Sequence, residues 1–356
     1  MLTGNEIANN RLANQQLVHS GLPTPADVVA WMGAVQAQEY EQAKWAIGLR
    51  LPGSTEAAVE AAIQRADIVR THLMRPTWHF VAAADIDWLL DLTAPHVSRL
   101  LAARKRELEL DDELLAKSWT VLERVLGDHT YLTRDEVMQQ LQQAGIRTDA
   151  TRAYHLMFLA ELAGVVCNGP FTGKKHTYAL LRERVPIRRQ LSRDEALTEL
   201  AKRYFTSHGP ATLNDFVWWS GLSTGDARRG IEGAGTYLRA ELINKKPYWL
   251  ADQTRGSLPA GTVHLLPAFD EFMVGYVDRS ASLAAELAQQ TGNGLFKPIL
   301  VVDGQVSGLW KPTKKARYVA IELTLLRPLS EEQIERIHEA VQSYARYLGK
   351  DVVITP

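Results

Sequence analysis

Two glutamines flanking one small residue, Gln36-Ala37-Gln38, are the part of this chain whose residue types and spacing point most directly to chemistry. Residues i and i+2 of an extended segment face the same way, so both carboxamides can address one small target. In a regular helix they point to nearly opposite sides. A carboxamide offers one acceptor and two N–H donors, and no charge. Such a pair can hold and orient a water molecule. It lacks the field of a carboxylate and is too weak a base to take a proton outright, so a substrate handled here must arrive already activated. The plainer reading is a helix start whose glutamines are solvated or satisfy nearby backbone groups. On these three residues alone the plainer reading stands, because the pattern is short and common.

Other residues invite the same weighing. His79, in Trp78-His79 and close to Arg75, has a pKa near neutrality and could orient a water or a phosphate. A lone half-buried histidine is more often hydrogen-bonded structure. Asp270-Glu271 is an acidic pair among apolar residues. It could supply a base, but the commoner role is to cap a helix or pair with an arginine such as Arg279. Basic residues collect in loops: Lys174-Lys175 in one, and Lys311, Lys314, Lys315 and Arg317 after an Asp-Gly turn. These, with Arg75 and His79, are the candidate DNA contacts, able to meet phosphates without reading sequence. Exposed loops are also basic simply for solubility. The ten histidines form no H-x-x-x-H or H-E-x-x-H, so no metal site is expected. No Gly-rich phosphate loop, dinucleotide fingerprint or G-x-S-x-G elbow occurs, so no cofactor is expected.

Composition sets the bounds. At 356 residues the chain fits two to four modules rather than one core. Its 46% hydrophobic and 23% charged residues are those of a soluble globular protein. With 40 basic and 41 acidic residues the net charge is −1, which does not advertise a nucleic-acid binder but allows a local basic face. The single Cys167 excludes an intramolecular disulfide and a cysteine-rich zinc site. The N-terminus has no basic and apolar leader pattern, and no apolar run approaches the roughly 18 residues that span a bilayer. A cytoplasmic protein, away from membranes, is the expectation.

The elements that must position these residues read as an α+β chain of tandem winged helix-turn-helix modules followed by a C-terminal β-rich module. Residues 1–110 hold helices and a hairpin, Ile68–Leu73 against Thr77–Val81, with two closing helices split at Thr93–Ala94, just ahead of Pro95. In 111–190, a T-x-x-E box at Thr133 starts one helix, another spans Ala150–Ala163, and two strands flank the Lys174-Lys175 loop. In 191–258 the order recurs, from Ser192 to strands near Leu238 and Tyr248. In 259–356, Asp303-Gly304 is the strongest hairpin signal, followed by a strand from Tyr318, a helix from Glu331 to Tyr347 and a last strand, Val352–Ile354.

Taken together the residues resemble the AlkZ/YcaQ-like bacterial DNA glycosylases. The matching stretches are Met32–Gln38, Trp45–Arg50, Arg75–Phe80, Leu265–Glu271, Gly275–Arg279 and Gly294–Trp310, in order and over nearly the whole chain. The resemblance implies tandem winged helices with a concave DNA-binding surface. It also implies an active-site signature of glutamine, an apolar residue and glutamine in the AlkZ branch, with aspartate second in the YcaQ branch. Gln36 and Gln38 match the first form and carry over as the catalytic pair. The family excises bulky N7-alkylguanines and unhooks interstrand crosslinks, including those of azinomycin-type antibiotics. The partner it implies is duplex DNA carrying alkylated or crosslinked guanine, handled by a monomer. A monofunctional hydrolytic mechanism follows, since Lys44 is the only lysine near Gln36. The rival reading is a winged-helix DNA-binding protein without catalysis, a transcription regulator or a binder that sequesters damage.

Overall fold

The computed structural model describes residues 3–251 and 261–355. Thr3 and Glu6 form a capping box at the start of α1 (Gly4–Asn14). Thr24 caps α2 (Pro25–Met32), whose Pro25 takes the one position where a missing N–H costs nothing. Gly33, at φ +79°, ends that helix, and its absent Cβ leaves room for the Trp219 ring. The chain continues through β1 (Val35–Gln36), α3 (Tyr40–Leu49), α4 (Glu56–Gln64), β2 (Ile68–Leu73), β3 (Thr77–Ala82), α5 (Ile86–Leu100) and α6 (Ala102–Glu107). β1, β3 and β2 form an antiparallel sheet in that order.

The split expected just before Pro95 is not present. α5 runs through Pro95 and stops at Leu100. A proline inside a helix removes one ladder hydrogen bond. Here Leu89, Leu90, Leu92 and Val97 are buried on both sides of it, and that packing outweighs the lost bond.

The next stretch holds α7 (Asp112–Val125), β4 (Leu132–Thr133), α8 (Arg134–Gln143), α9 (Ala150–Leu162), β5 (Val166–Asn168), β6 (Thr177–Leu180) and the short α10 (Leu181–Arg184). Its sheet has the order β4-β6-β5. Then come α11 (Arg193–Ser207), α12 (Leu213–Ser220), α13 (Thr224–Ala234), β7 (Leu238–Ile243) and β8 (Lys246–Ala251). The boundary expected between residues 258 and 259 lies outside the described residues.

Beyond it, β9 (Val263–Leu266), α14 (Glu271–Val274), β10 (Ile299–Val302), β11 (Gln305–Lys314), β12 (Tyr318–Leu325), α15 (Glu331–Leu348) and β13 (Asp351–Thr355) follow. The five strands pair in the order β13-β12-β11-β10-β9. β12 and β13 are parallel, joined by α15. Asp303 and Gly304 turn β10 into β11 with φ of 49° and 76°, the paired positive values of a two-residue hairpin loop.

The first three stretches share one order: helix, short extended segment, two helices, hairpin. β1 stands in its sheet as β4 does in the second, and in the third Ala211 forms an antiparallel bridge to Trp249 of β8. Two cores grip the first stretch. One joins Val69, Val81 and Trp88 to Leu200, Phe205 and Trp219. The other joins Val35, Ala37, Trp45 and Phe80 to Leu265, Trp310 and Tyr344. Trp45 and Trp310 donate their indole N–H to the Leu265 and Leu266 carbonyls, at 2.7 and 2.8 Å. β1 therefore lies between two packed bodies, on a rigid support.

Candidate active site

Gln36-Ala37-Gln38 is not a helix start. In the second stretch β4 runs straight into α8, and in the third only the capping Thr212 separates the Ala211 bridge from α12. In the first, Ala37, Gln38 and Glu39 intervene between β1 and α3. Val35 and Ala37 point into the core, and Gln36 between them points to the opposite face.

Five hydrogen bonds pin this extension. The Gln36 N–H donates to Glu271 Oε1 at 2.8 Å. The Ala37 N–H donates to the Trp78 carbonyl at 2.7 Å. The Ala37 carbonyl accepts from Arg70 Nε and Nη2, at 3.1 and 2.9 Å. The Gln38 N–H donates to Gln36 Oε1 at 3.3 Å, which turns the Gln36 carboxamide toward Gln38. Gln36 is buried, whereas Gln38 is exposed.

Behind Gln36 lies a charge. Glu271 is fully buried, and besides the Gln36 N–H it accepts from Trp219 Nε1 at 2.8 Å, with His208 Nε2 3.4 Å away. Burial works against its charge. The His208 contact, the Arg75 guanidinium and the Gln36 N–H outweigh burial and hold its pKa at about 2. It is therefore an anion at neutral pH. Asp270 does pair with an arginine, but with Arg50 rather than Arg279. Asp270 Oδ1 and Oδ2 each lie 2.8 Å from an Arg50 guanidinium nitrogen, with both side chains about 1% exposed. Asp270 also caps α14, and Arg279 donates to the Met273 carbonyl instead.

The remaining candidates divide. His79 sits directly opposite Gln36 across the β1–β3 pair, so the two side chains share a face. It is fully buried, which leaves it no surface for a phosphate. Its Nδ1 lies 3.0 Å from the Thr77 carbonyl, and its Nε2 meets no protein partner. Burial first and the Arg75 charge second hold its pKa at about 3, so the ring is neutral. Arg75 is half-buried and donates to the Val274 carbonyl at 3.3 Å. Lys174 and Lys175 are exposed in the β5–β6 loop. Lys311, Lys315 and Arg317 are exposed on the β11–β12 hairpin. Lys314, on that same hairpin, is bound at 2.7 Å to both Glu41 and Glu56. Lys44 lies 3.0–3.5 Å from Glu41, Glu56 and Glu60; burial opposes its charge, but the three carboxylates raise its pKa.

Sequence reasoning flagged Glu271 but not its bond to Gln36, and it missed the Arg70 clamp. No periodicity links residues 235 positions apart. Among the described residues no group of three or more His, Cys, Asp or Glu could hold a metal ion, and no helix is long and apolar enough to cross a membrane.

The sequence model of the family described as "DNA glycosylase AlkZ-like" matches residues 29–347. The chain belongs to that family. The match starts inside α2 and takes in the glutamine extension, Glu271 and every strand of the four sheets except β13. The chain is 26% identical over 325 residues to an interstrand DNA cross-link repair glycosylase of Streptomyces sahachiroi, covering 85% of each chain. The solved structure of Streptomyces sahachiroi DNA glycosylase AlkZ superposes with a TM-score of 0.81 at 21% identity, over 99% of this chain and 100% of that one. The α+β architecture is thus shared along the whole length of this family member.

Proposed function

We propose that this DNA glycosylase hydrolyses the N-glycosidic bond of N7-alkylguanine in duplex DNA, with a water positioned by Gln36 and Gln38. The observation that carries the reading is the pinned extension. Preorganised dipoles act without reorganising as charge develops, and a segment fixed at three consecutive residues suits that role. Alkylation at N7 makes the base cationic. As the C1′–N9 bond breaks, its electron pair neutralises the base, and the sugar becomes oxocarbenium-like. Water then adds at C1′ and releases its proton to solvent, leaving an abasic site and free N7-alkylguanine. Neither glutamine has to change its protonation state.

The proposed reaction is monofunctional. Lys44 is the lysine nearest in sequence, and its ammonium is held charged by three carboxylates, which removes it as an attacking amine. Unhooking an interstrand crosslink would be the same hydrolysis at one of two tethered guanines, and the crosslink-repair relative supports including it. We further read the three recurring stretches as tandem winged helices, 1–110, 111–190 and 191–258, with 259–356 as the β-rich module. In this reading Lys174, Lys175, Lys311, Lys315 and Arg317 contact phosphates, and a monomer acts in the cytoplasm. Lys314 anchors its hairpin to α3 and α4 instead, and His79 supports the sheet under Gln36.

The test is product analysis. Duplexes carrying N7-methylguanine, a bulky nitrogen-mustard adduct or a crosslink are incubated with the protein, and abasic sites and free base are measured. Release from the first two supports the reading. Tight binding without base release from any of them would favour the non-catalytic binder.

A further inference from the structure

A cavity of about 290 Å³ lies between the β2–β3 hairpin, α9 and the β5–β6 hairpin. That is the lower end of the range for small-molecule sites, roughly 300 Å³ and up, and suits one or two fused rings. Trp78, Tyr154 and Tyr178 give it aromatic walls, and Arg70, Arg134 and Glu161 give it charge. The Glu161 carboxylate is engaged by His72, accepting its backbone N–H at 2.8 Å and lying 2.6 Å from its Nδ1. Neither Arg70 nor Arg134 is in an ion pair among the described residues. The cavity is therefore aromatic, with the Arg134 guanidinium available beside that of Arg70, which is engaged by the Ala37 carbonyl.

It is also joined to the glutamine extension. The residue between the glutamines, Ala37, is held by two residues of the cavity wall. Its N–H goes to the Trp78 carbonyl and its carbonyl accepts from Arg70. The Arg70 guanidinium lies 4.4 Å over the Trp78 ring, so the clamp and the wall are one unit. The loop bearing Lys174 and Lys175 joins the two strands of the hairpin that forms the far side.

We infer that this cavity is an accessory subsite for a neutral planar aromatic ring bearing hydrogen-bond acceptors. The inference deepens the proposed function and rests on it. Aromatic walls offer ring contacts to any planar guest. Arginine donors favour acceptor atoms and repel a cation. The positively charged N7-alkylpurine is thus the wrong guest, and the lesion base stays with the glutamines. A ring of the right chemistry has two sources: the aromatic arm of a bulky adduct, or an unmodified base displaced from the duplex.

The experiment uses the full chain and four DNAs: N7-methylguanine and an N7-guanine adduct carrying a neutral aromatic arm, each in duplex and single strand. Single-turnover release is measured for wild type, Tyr154→Leu and Arg134→Ala. Arg134 is exposed, so its variant keeps the test usable if Tyr154→Leu does not fold. An adduct-arm guest is read as a loss, about five-fold or more, of the preference for armed over methyl lesion. A displaced-base guest is read as an equal loss of the preference for duplex over single strand, with both lesions. Either loss supports the subsite. Both preferences unchanged in both variants would overturn it. Dissociation constants for the same DNAs, measured in a Gln36→Ala background, report the same two ratios without catalysis. If wild type releases no base, the glycosylase reading falls, and those ratios still decide the subsite on their own.

Discussion

Gln36 and Gln38 carry no charge, and the charges that lie nearest them do not titrate near neutrality. Glu271 is ionised above about pH 2, and His79 is neutral above about pH 3. Single-turnover release of N7-methylguanine should therefore vary less than about three-fold between pH 5 and 9, the range over which a general base would bring a slope. A tenfold rise along one limb would place a titrating base in the site. Glu271 itself is structural support under Gln36. Its folded pKa lies below the unfolded value near 4.5, so its charge stabilises the fold fully above that value. The contribution drains away as pH falls from about 4.5 toward about 2. Glu271→Gln should cost about 3 kcal/mol at neutral pH, because the Gln36 and Trp219 N–H donors would face an amide in place of a carboxylate. Urea unfolding across that acid range should show a shallower pH slope for the variant than for wild type. Equal slopes would mean that Glu271 is not the buried anion.

At the scale of elements, local signals were readable wherever short-range chemistry sets the structure. The boxes at Thr133–Glu136 and Ser192–Glu195 start helices, and Asp303-Gly304 turns a hairpin. β1 left no such trace. It has two residues, and its partner His79 lies far along the chain, so nothing nearby announces a strand. The recurring order was visible as helices and hairpins, but the short segment that pairs with each hairpin, a strand in the first two stretches and a single bridge in the third, appears only when β1 is set beside β4 and Ala211. That comparison isolates Ala37–Glu39 as the extension special to the first stretch. The acidic pair was legible as residues and not as contacts, since Asp270 meets Arg50 across 220 positions. Breaking this buried pair with Asp270→Ala should cost about 3–5 kcal/mol by leaving the Arg50 charge uncompensated. The double variant Arg50→Leu with Asp270→Leu should regain much of that loss. Chemical denaturation checks both, and additive losses would contradict a coupled pair.

For the whole molecule, a net charge of −1 means that affinity for DNA must come from where cations are placed. The exposed Lys174 and Lys175 are free to meet phosphates, whereas Lys314 is engaged by Glu41 and Glu56. Replacing Lys174 and Lys175 by alanine should weaken duplex binding and reduce the salt slope by up to about 2, near 0.9 per lost phosphate contact. Lys314→Ala should lower stability more than it lowers the salt slope. Fluorescence anisotropy over a salt series separates these outcomes, and an unchanged slope for the first variant would remove that loop from the interface. The central claim concerns the glutamine extension that the fold holds between its two bodies. Its most direct test is single-turnover release of free N7-methylguanine from duplex DNA by wild type, Gln36→Ala and Gln38→Ala at matched DNA occupancy. The account predicts release by wild type, a fall of about 10²-fold or more in each variant, and nearly unchanged DNA affinity. Release by both variants at the wild-type rate would contradict it.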